Sequence, residues 1–320
     1  MDATMSYQTQ DIWTTWFAVY LYLGGLGAAT LALAIMTNMY IKPHKEIVLW
    51  GVLSGVAMLA GGSALLFIHL LNHIAAWHVL VPTAVFNKPD AWIAWGVQFI
   101  SGMMILGLLY ALPTMVASEG LKRFPVVGAI LKMGIVVGIA NLVDHKLSKL
   151  LGWLAALCGL GTAVYTGLLL QSFPAVALWN NPGVPVLFTV SAFSTALAYL
   201  LLVLNVFVQR KEDHGLQSLY ERLDLGLIVA EMIIIFSFYN YLRHSSESAM
   251  RSADMLFSNA GWIVGFIGFG LVVPFLIELR GLVSHWQSRT PIVLAAVLVL
   301  AGGFLLRHYF MFAGVYACPS

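Results

Sequence analysis

The sequence predicts an all-α fold, a polytopic integral membrane bundle of about eight transmembrane helices in one domain over residues 1–320, with both termini on the outer, periplasmic side. Three observations predict it. Hydrophobic residues make up 60% of the chain, charged residues only 9%, and mean hydropathy is +0.88, where a soluble domain carries about 25% charged residues. Sixty consecutive residues, Leu150 to Gln209, contain no Asp, Glu, Lys, Arg or His. That is room for two spans of about 20 residues each, joined by a turn that holds Pro174, Asn180, Asn181, Pro182 and Pro185. Finally, Lys and Arg fall unevenly: with the N-terminus outside, the inner loops hold Lys42, Lys45, Lys122, Arg123, Lys132, Lys146, Lys149, Arg210, Lys211, Arg222, Arg280 and Arg289, and the outer side and outer helix ends only Lys88, Arg243, Arg251 and Arg307. Inner loops of inner membrane proteins are enriched in these residues, so the expected location is the cytoplasmic membrane, multi-pass.

Apolar windows give the spans in order: 13–40, 47–71, 91–116, 150–171, 183–208, 225–242, 255–277 and 291–311. The first follows a polar stretch with no basic flank and no cleavage motif, so it is expected to stay in the mature chain. Gly24, Gly25, Gly27 and Ala28 in the first span, with Gly51, Gly55, Gly61 and Gly62 in the second, supply the small residues that let two helix backbones approach. Between the third and fourth windows, Pro125 to Ala140 is apolar but short and contains Lys132. Crossing there would flip every later loop and erase the Lys and Arg bias, so the segment is expected to be interfacial or re-entrant on the inner side. The turn between the fourth and fifth spans is too apolar for a solvated loop, and points to a surface at the membrane boundary or under another protein.

Ionisable groups inside spans are costly and therefore functional candidates. Glu231 sits near the middle of the sixth span, as a proton relay or as a carboxyl kept neutral. His69 and His73, four apart and on one helical face with Asn72 beside them, close the second span. Three readings of the pair compete: histidines marking the polar interface, axial haem ligands with His308 or His244 as mates, or a quinone site where an imidazole exchanges the redox-linked proton. Tyr165, near the outer end of the fourth span, offers a phenol to a quinone carbonyl or belongs to an interfacial aromatic belt. Glu278 with Arg280, and Asp224 with Arg222, read as ion pairs at helix ends. The two cysteines, Cys158 and Cys318, form no Cys-x-x-Cys pair, so no iron-sulfur cluster or zinc knuckle is expected from this chain alone. Nothing points to nucleic acid.

Several stretches, in order, resemble one family. Tyr165-Thr-Gly-Leu-Leu-Leu, Ala177-Leu-Trp-Asn-Asn-Pro and Val184-Pro-Val-Leu-Phe-Thr-Val-Ser-Ala-Phe-Ser-Thr resemble the fourth and fifth helices of the NrfD or polysulfide-reductase membrane-subunit family. Tyr20-Leu-Tyr-Leu-Gly-Gly-Leu-Gly-Ala is similar to its first helix, Leu223-Asp-Leu-Gly-Leu-Ile-Val-Ala-Glu231 to its sixth, and Gly270-Leu-Val-Val-Pro-Phe-Leu-Ile-Glu278 to its seventh. The resemblance implies a non-haem quinol dehydrogenase or quinone reductase subunit of an oxidoreductase complex in anaerobic respiration. Such a subunit binds menaquinol or menaquinone near the outer face, carries no haem or iron-sulfur cluster of its own, and partners a ferredoxin-like iron-sulfur subunit and a molybdopterin catalytic subunit. The terminal substrate is then handled by the partner. Tyr165 matches a family tyrosine at the quinone pocket. Where many members read Asp-Leu-Gly-Arg-Pro, this chain reads His69-Leu-Leu-Asn-His73, so the resemblance implies that His69 takes the place of an aspartate. On this reading His69, His73 and Glu231 move protons, and Tyr165, His69 and Asn72 bind the quinone. The turn after Tyr165 then becomes a docking surface for the iron-sulfur partner. Two other classes remain as alternatives, a polytopic transporter and a di-haem cytochrome b-type subunit.

Overall fold

The computed structural model describes residues 5–11, 13–68, 77–208, 213–284 and 289–319. Among them, eight helical segments are long and apolar enough to cross a membrane. In order, the helices are α1 (Thr15–Met36), α2 (Lys45–Ile68), α3 (Trp77–Leu80), α4 (Thr83–Asn87), α5 (Trp92–Ala117), α6 (Glu119–Lys122), α7 (Pro125–Leu131), α8 (Gly134–Leu142), α9 (Ser148–Gln171), α10 (Gly183–Leu202), α11 (His214–Arg243), α12 (Glu247–Phe257), α13 (Val273–Ser284) and α14 (Arg289–Phe312). Four π-helical segments extend or join them, Thr37–Ile41, Val143–Leu147, Val203–Val208 and Gly261–Val272. Two short strands, β1 (Met5–Thr9) and β2 (Val315–Pro319), pair antiparallel, Tyr7 opposite Ala317. They tie the two chain ends together at one end of the bundle, which an even number of spans requires.

Helices α1 and α10 lie at the centre. Helix α1 packs on α2, α9, α10 and α14, and α10 on α9, α11 and α14. Large apolar side chains of the outer helices, among them Ile105, Leu157, Ile233, Phe236 and Leu276, point outward, as they must when the surrounding solvent is hydrocarbon. The expected close approach of the first two spans is at Gly27 and Gly55: a Cβ on either would lie 2.8 Å from the other's carbonyl oxygen. A Gly55→Val variant is expected to lose about 1–3 kcal/mol of stability from this overpacking, measured as a lower unfolding midpoint in detergent.

The observed helices revise three sequence boundaries. The sixth begins at His214 and not near 225, because Glu221 and Asp224, which depress local hydropathy, face inward and are buried. Residues 247–257 form a separate helix, α12, whose N-cap Ser246 accepts the Ala249 N–H at 3.3 Å. Asn259 Oδ1 then caps the seventh span by accepting the Gly261 N–H at 2.8 Å. The fourth is continuous from Gly134 to Gln171, 38 residues, about 57 Å at 1.5 Å per residue and well beyond a hydrocarbon core of about 30 Å. Residues 125–142 make no span of their own; α7 and α8 are 7 and 9 residues long, with Val126, Ile130, Ile135 and Ile139 exposed.

Opposite the chain termini, a polar knot ties two loops. His44 Nδ1 lies 3.3 Å from both the Ile47 backbone nitrogen and Glu46 Oε2, and Nε2 hydrogen-bonds Asp213 Oδ2 at 2.9 Å. Lys42 Nζ donates to Asp213 Oδ1 at 2.7 Å. Burial alone would push the Asp213 carboxyl up, but the hydrogen bonds from Lys42 and His44 outweigh it and hold the group below the ordinary carboxylate range. A carboxylate depressed by folding contributes stability above its unfolded pKa and loses it as the pH falls through its folded value. Unfolding curves of the wild type and Asp213→Asn are therefore expected to differ by up to about 1 kcal/mol at neutral pH and to converge in acid.

Candidate functional site

Near the end of the bundle that carries the termini, Tyr20 of α1 and Tyr165 of α9 meet hydroxyl to hydroxyl at 2.8 Å, both almost fully buried. Each lies about six residues inside its helix end. The Tyr165 ring lies flat on Gly96 of α5, where a Cβ would overlap the ring carbon that bears the oxygen. Glycine is required there by this close approach. The Tyr20 ring packs against Phe17 at 5.4 Å between centroids, and Phe17 against Trp13. Two phenols bonded to one another hold two O–H donors and use one between them. Among the described residues no acceptor takes the second O–H, which is left to donate to a third group. A Gly96→Ala variant is expected to displace the Tyr165 ring and weaken its bond to Tyr20, which tyrosine hydroxyl signals in infrared spectra would report.

Deeper in the bundle lies a second polar centre. Arg307 of α14 is 0% exposed. Its Nη1 donates to the Gly303 carbonyl at 2.7 Å and to Ser191 Oγ at 3.2 Å, and its Nη2 to the Phe188 carbonyl at 3.2 Å. The Phe188 and Tyr22 rings stand 5.2 and 5.7 Å from the guanidinium carbon. Glu231, 2% exposed near the middle of α11, interacts electrostatically with this cation. An unpaired charge at this depth would be costly. Room for the guanidinium comes from Gly25 of α1, whose Cβ would sit 3.3 Å from Nη2.

Of the residues singled out from the sequence, Tyr165 and Glu231 are buried in the bundle, at different depths and with separate partners. His69, Asn72 and His73 lie outside the described residues. His308 stacks among Phe304, Tyr309 and Phe312 with Nδ1 unbonded, and exposed His244 bonds the Asn240 carbonyl at 2.8 Å. The helix-end reading of the other carboxylates is corrected. Asp224 is fully buried and accepts the Ser194 hydroxyl at 2.5 Å, and Glu278 is 5% exposed on the helix packed against it. Both turn inward because their spacing on the helix places them on the packed face. The sequence reading misses Tyr20 and places Arg307 at an outer helix end. The available signal is the depth of each within an apolar window: Arg307 stands five residues inside the end of α14.

The connector between α9 and α10 also differs from expectation. Its Val176, Leu178 and Trp179 are buried by the protein itself: Trp179 Nε1 donates to the Phe310 carbonyl at 2.8 Å, and its ring meets Phe173, Trp13 and Gly314. Ser172, Pro174, Ala175, Asn180 and Pro182 remain exposed. The apolar residues of the turn are thus already used to fasten the C-terminal end, and only small and polar ones face outward. Trp179→Phe is expected to cost about 1 kcal/mol for the lost hydrogen bond, read from unfolding midpoints.

Comparison with known proteins agrees with this architecture. The family model described as "Polysulphide reductase, NrfD" matches residues 3–319. A polysulfide reductase polypeptide of Wolinella succinogenes is 24% identical, over 95% of the present sequence and 94% of its own length. Protein NrfD of Escherichia coli is 25% identical over 98% of both sequences. One of the subunits of selenate reductase from Mesobacillus selenatarsenatis is 24% identical over 87% of the present sequence and 68% of its own. With a family model covering nearly every residue and eight spans in the expected order, the protein belongs to the NrfD polysulphide reductase family of polytopic membrane proteins.

Proposed function

We propose that this protein is the quinone-interacting membrane subunit of an oxidoreductase complex. It exchanges electrons between menaquinol and an external ferredoxin-like iron-sulfur subunit that serves a molybdopterin catalytic subunit. Membership in the family and relatives named as parts of polysulfide and selenate reductases support the coarser statement, a membrane subunit of an oxidoreductase complex. The observation that carries the finer reading is the buried Tyr20–Tyr165 hydroxyl pair, one O–H of which meets no acceptor among the described residues. A quinone bound there is a substrate, and what the protein offers it is a hydrogen-bond donor, flat apolar walls and exclusion of bulk water.

In this mechanism the phenol pair fixes one quinol oxygen. A general base must take the redox-linked protons, and we assign this to His69 and His73, which close the neighbouring second span in the sequence. Asn72 is assigned to the second oxygen. The face carrying the termini is taken as the outer one, so that the quinol lies close to the soluble partner. Glu231, in the middle of the bundle, then relays protons at a distance from the quinol.

The test is quinol-dependent reduction of the copurified iron-sulfur partner by the intact complex. Tyr165→Phe and His69→Ala are expected to lower its rate by at least about 100-fold, the lower end of what a positioned acid or base contributes. Full activity in both variants would sink the assignment, as would copurification with no redox subunit.

A further inference from the structure

On the inner face of α11, Glu221, Asp224 and Glu231 stand at intervals of three and seven residues, each more than nine-tenths buried. They span ten residues, about 15 Å of helix and half of a hydrocarbon core. Glu278 of α13 packs against this row. Asp224 Oδ1 takes the Ser194 hydroxyl at 2.5 Å, while no N–H or hydroxyl of the described residues reaches Asp224 Oδ2 or either oxygen of Glu278. Asp224 and Glu278 stand against one another where α11 packs on α13, with these three carboxyl oxygens buried and without a donor. Two ionised carboxylates are both pure acceptors and cannot satisfy one another, and two unpaired charges at this depth would be costly. Facing one another without a donor, the two carboxyls are favoured only while one of them holds a proton, which makes the pair a site that binds a proton.

The site has an entrance and an exit. A narrow recess lined by Glu221, Ile277, Glu278, Gly281, Pro291 and Ile292, with about 10 Å³ of space, has room for roughly one water. It lies toward the end of the bundle opposite the termini, where α13 ends and α14 begins. On the other side, Ser194 leads along α10 to Ser191, one turn away, and so to Glu231 and Arg307. The charged and titratable groups facing the pair are thus Glu221 at the recess and Glu231 with Arg307 toward the termini.

We propose that Asp224 and Glu278 share one proton taken from water at the end opposite the termini, and pass it toward Glu231. This rests on the quinone reading, because quinol oxidation supplies the electron flow to which the proton movement is tied. Only O–H bonds are broken and made: the pair loses a proton as Glu231 gains one, then refills from water, and no electron is involved. Proton movement through half of the membrane would accompany electron flow at the tyrosine pair.

The experiment uses the intact complex in proteoliposomes, supplied with quinol, with electron transfer and membrane potential followed together. In Asp224→Asn and Glu278→Gln, electron transfer should persist while the potential generated per electron falls below that of the wild type. An unchanged potential per electron in both variants overturns the proposal, and so does a wild-type potential that requires sodium ions. Infrared spectra of the full-length protein in lipid discs give a readout independent of quinol. A protonated-carboxyl band that shifts in heavy water and is lost in Glu278→Gln is expected, and its absence in the wild type overturns the shared proton. If the wild type fails to oxidise quinol, the quinone reading fails by itself, and the infrared band still decides the proton site.

Discussion

Replacing Arg307 by methionine is expected to cost about 3–5 kcal/mol, the penalty for breaking a buried charge pair from one side. The guanidinium makes three hydrogen bonds, to Gly303, Ser191 and Phe188, in a place with no access to water. Methionine fills similar volume but removes every donor, leaves the two backbone carbonyls without the arginine's hydrogen bonds and strands Glu231 without its cation. Lysine is not expected to rescue the loss, because one ammonium cannot reproduce the planar fork that serves acceptors on two helices. The double variant Arg307→Met, Glu231→Leu should recover much of the stability, since removing both charges leaves nothing to strand. Chemical unfolding in mixed micelles measures all three. A single Arg307→Met protein as stable as the wild type would show that the cation is not what holds Glu231.

How much of this is legible in the sequence depends on whether depth or direction is at stake. Span number, the paired ends and the small-residue contact of α1 and α2 follow from hydropathy, charge bias and glycine spacing, which are properties along the chain. Direction around a helix is different. Asp224 and Glu278 stand next to arginines in sequence, and neighbours two positions apart suggest ion pairs at a surface. Yet positions two apart on a helix face different ways, and both carboxylates turn inward to each other. Tyr165 stands out in the sequence, but its partner Tyr20 lies 145 positions away, and no local pattern joins them. The apolar turn at 172–182 is legible as covered, whereas what covers it is the protein's own C-terminal end. Arg307 counts by position among the charges at the end that carries the termini and is in fact a buried one.

Gly302→Val is expected to cost about 3 kcal/mol, near the top of the usual range for overpacking, because nothing at the contact can yield. A Cβ on Gly302 would lie 2.6 Å from Gly270 Cα and 3.1 Å from Gly270 O, and a Cβ on Gly270 would meet Gly302 Cα at 2.7 Å. Here backbone touches backbone, so no rotamer change relieves the clash and α14 must move away from the seventh span. The adjacent Gly303 faces α10 instead, where its Cβ would run into Thr195 Cγ2. A side chain can turn aside, so Gly303→Ala should cost less, about 1 kcal/mol. The two glycines wedge α14 between its neighbours and so set how far Arg307, one turn on, reaches toward Ser191. Moving α14 therefore also weakens the arginine's hydrogen bonds. In a cycle of Gly302→Val and Arg307→Met, the double variant should lose less than the two single losses added together, as expected for residues that share partners. Strictly additive losses would mean that the glycine contact supports the helix pair but does not place the cation.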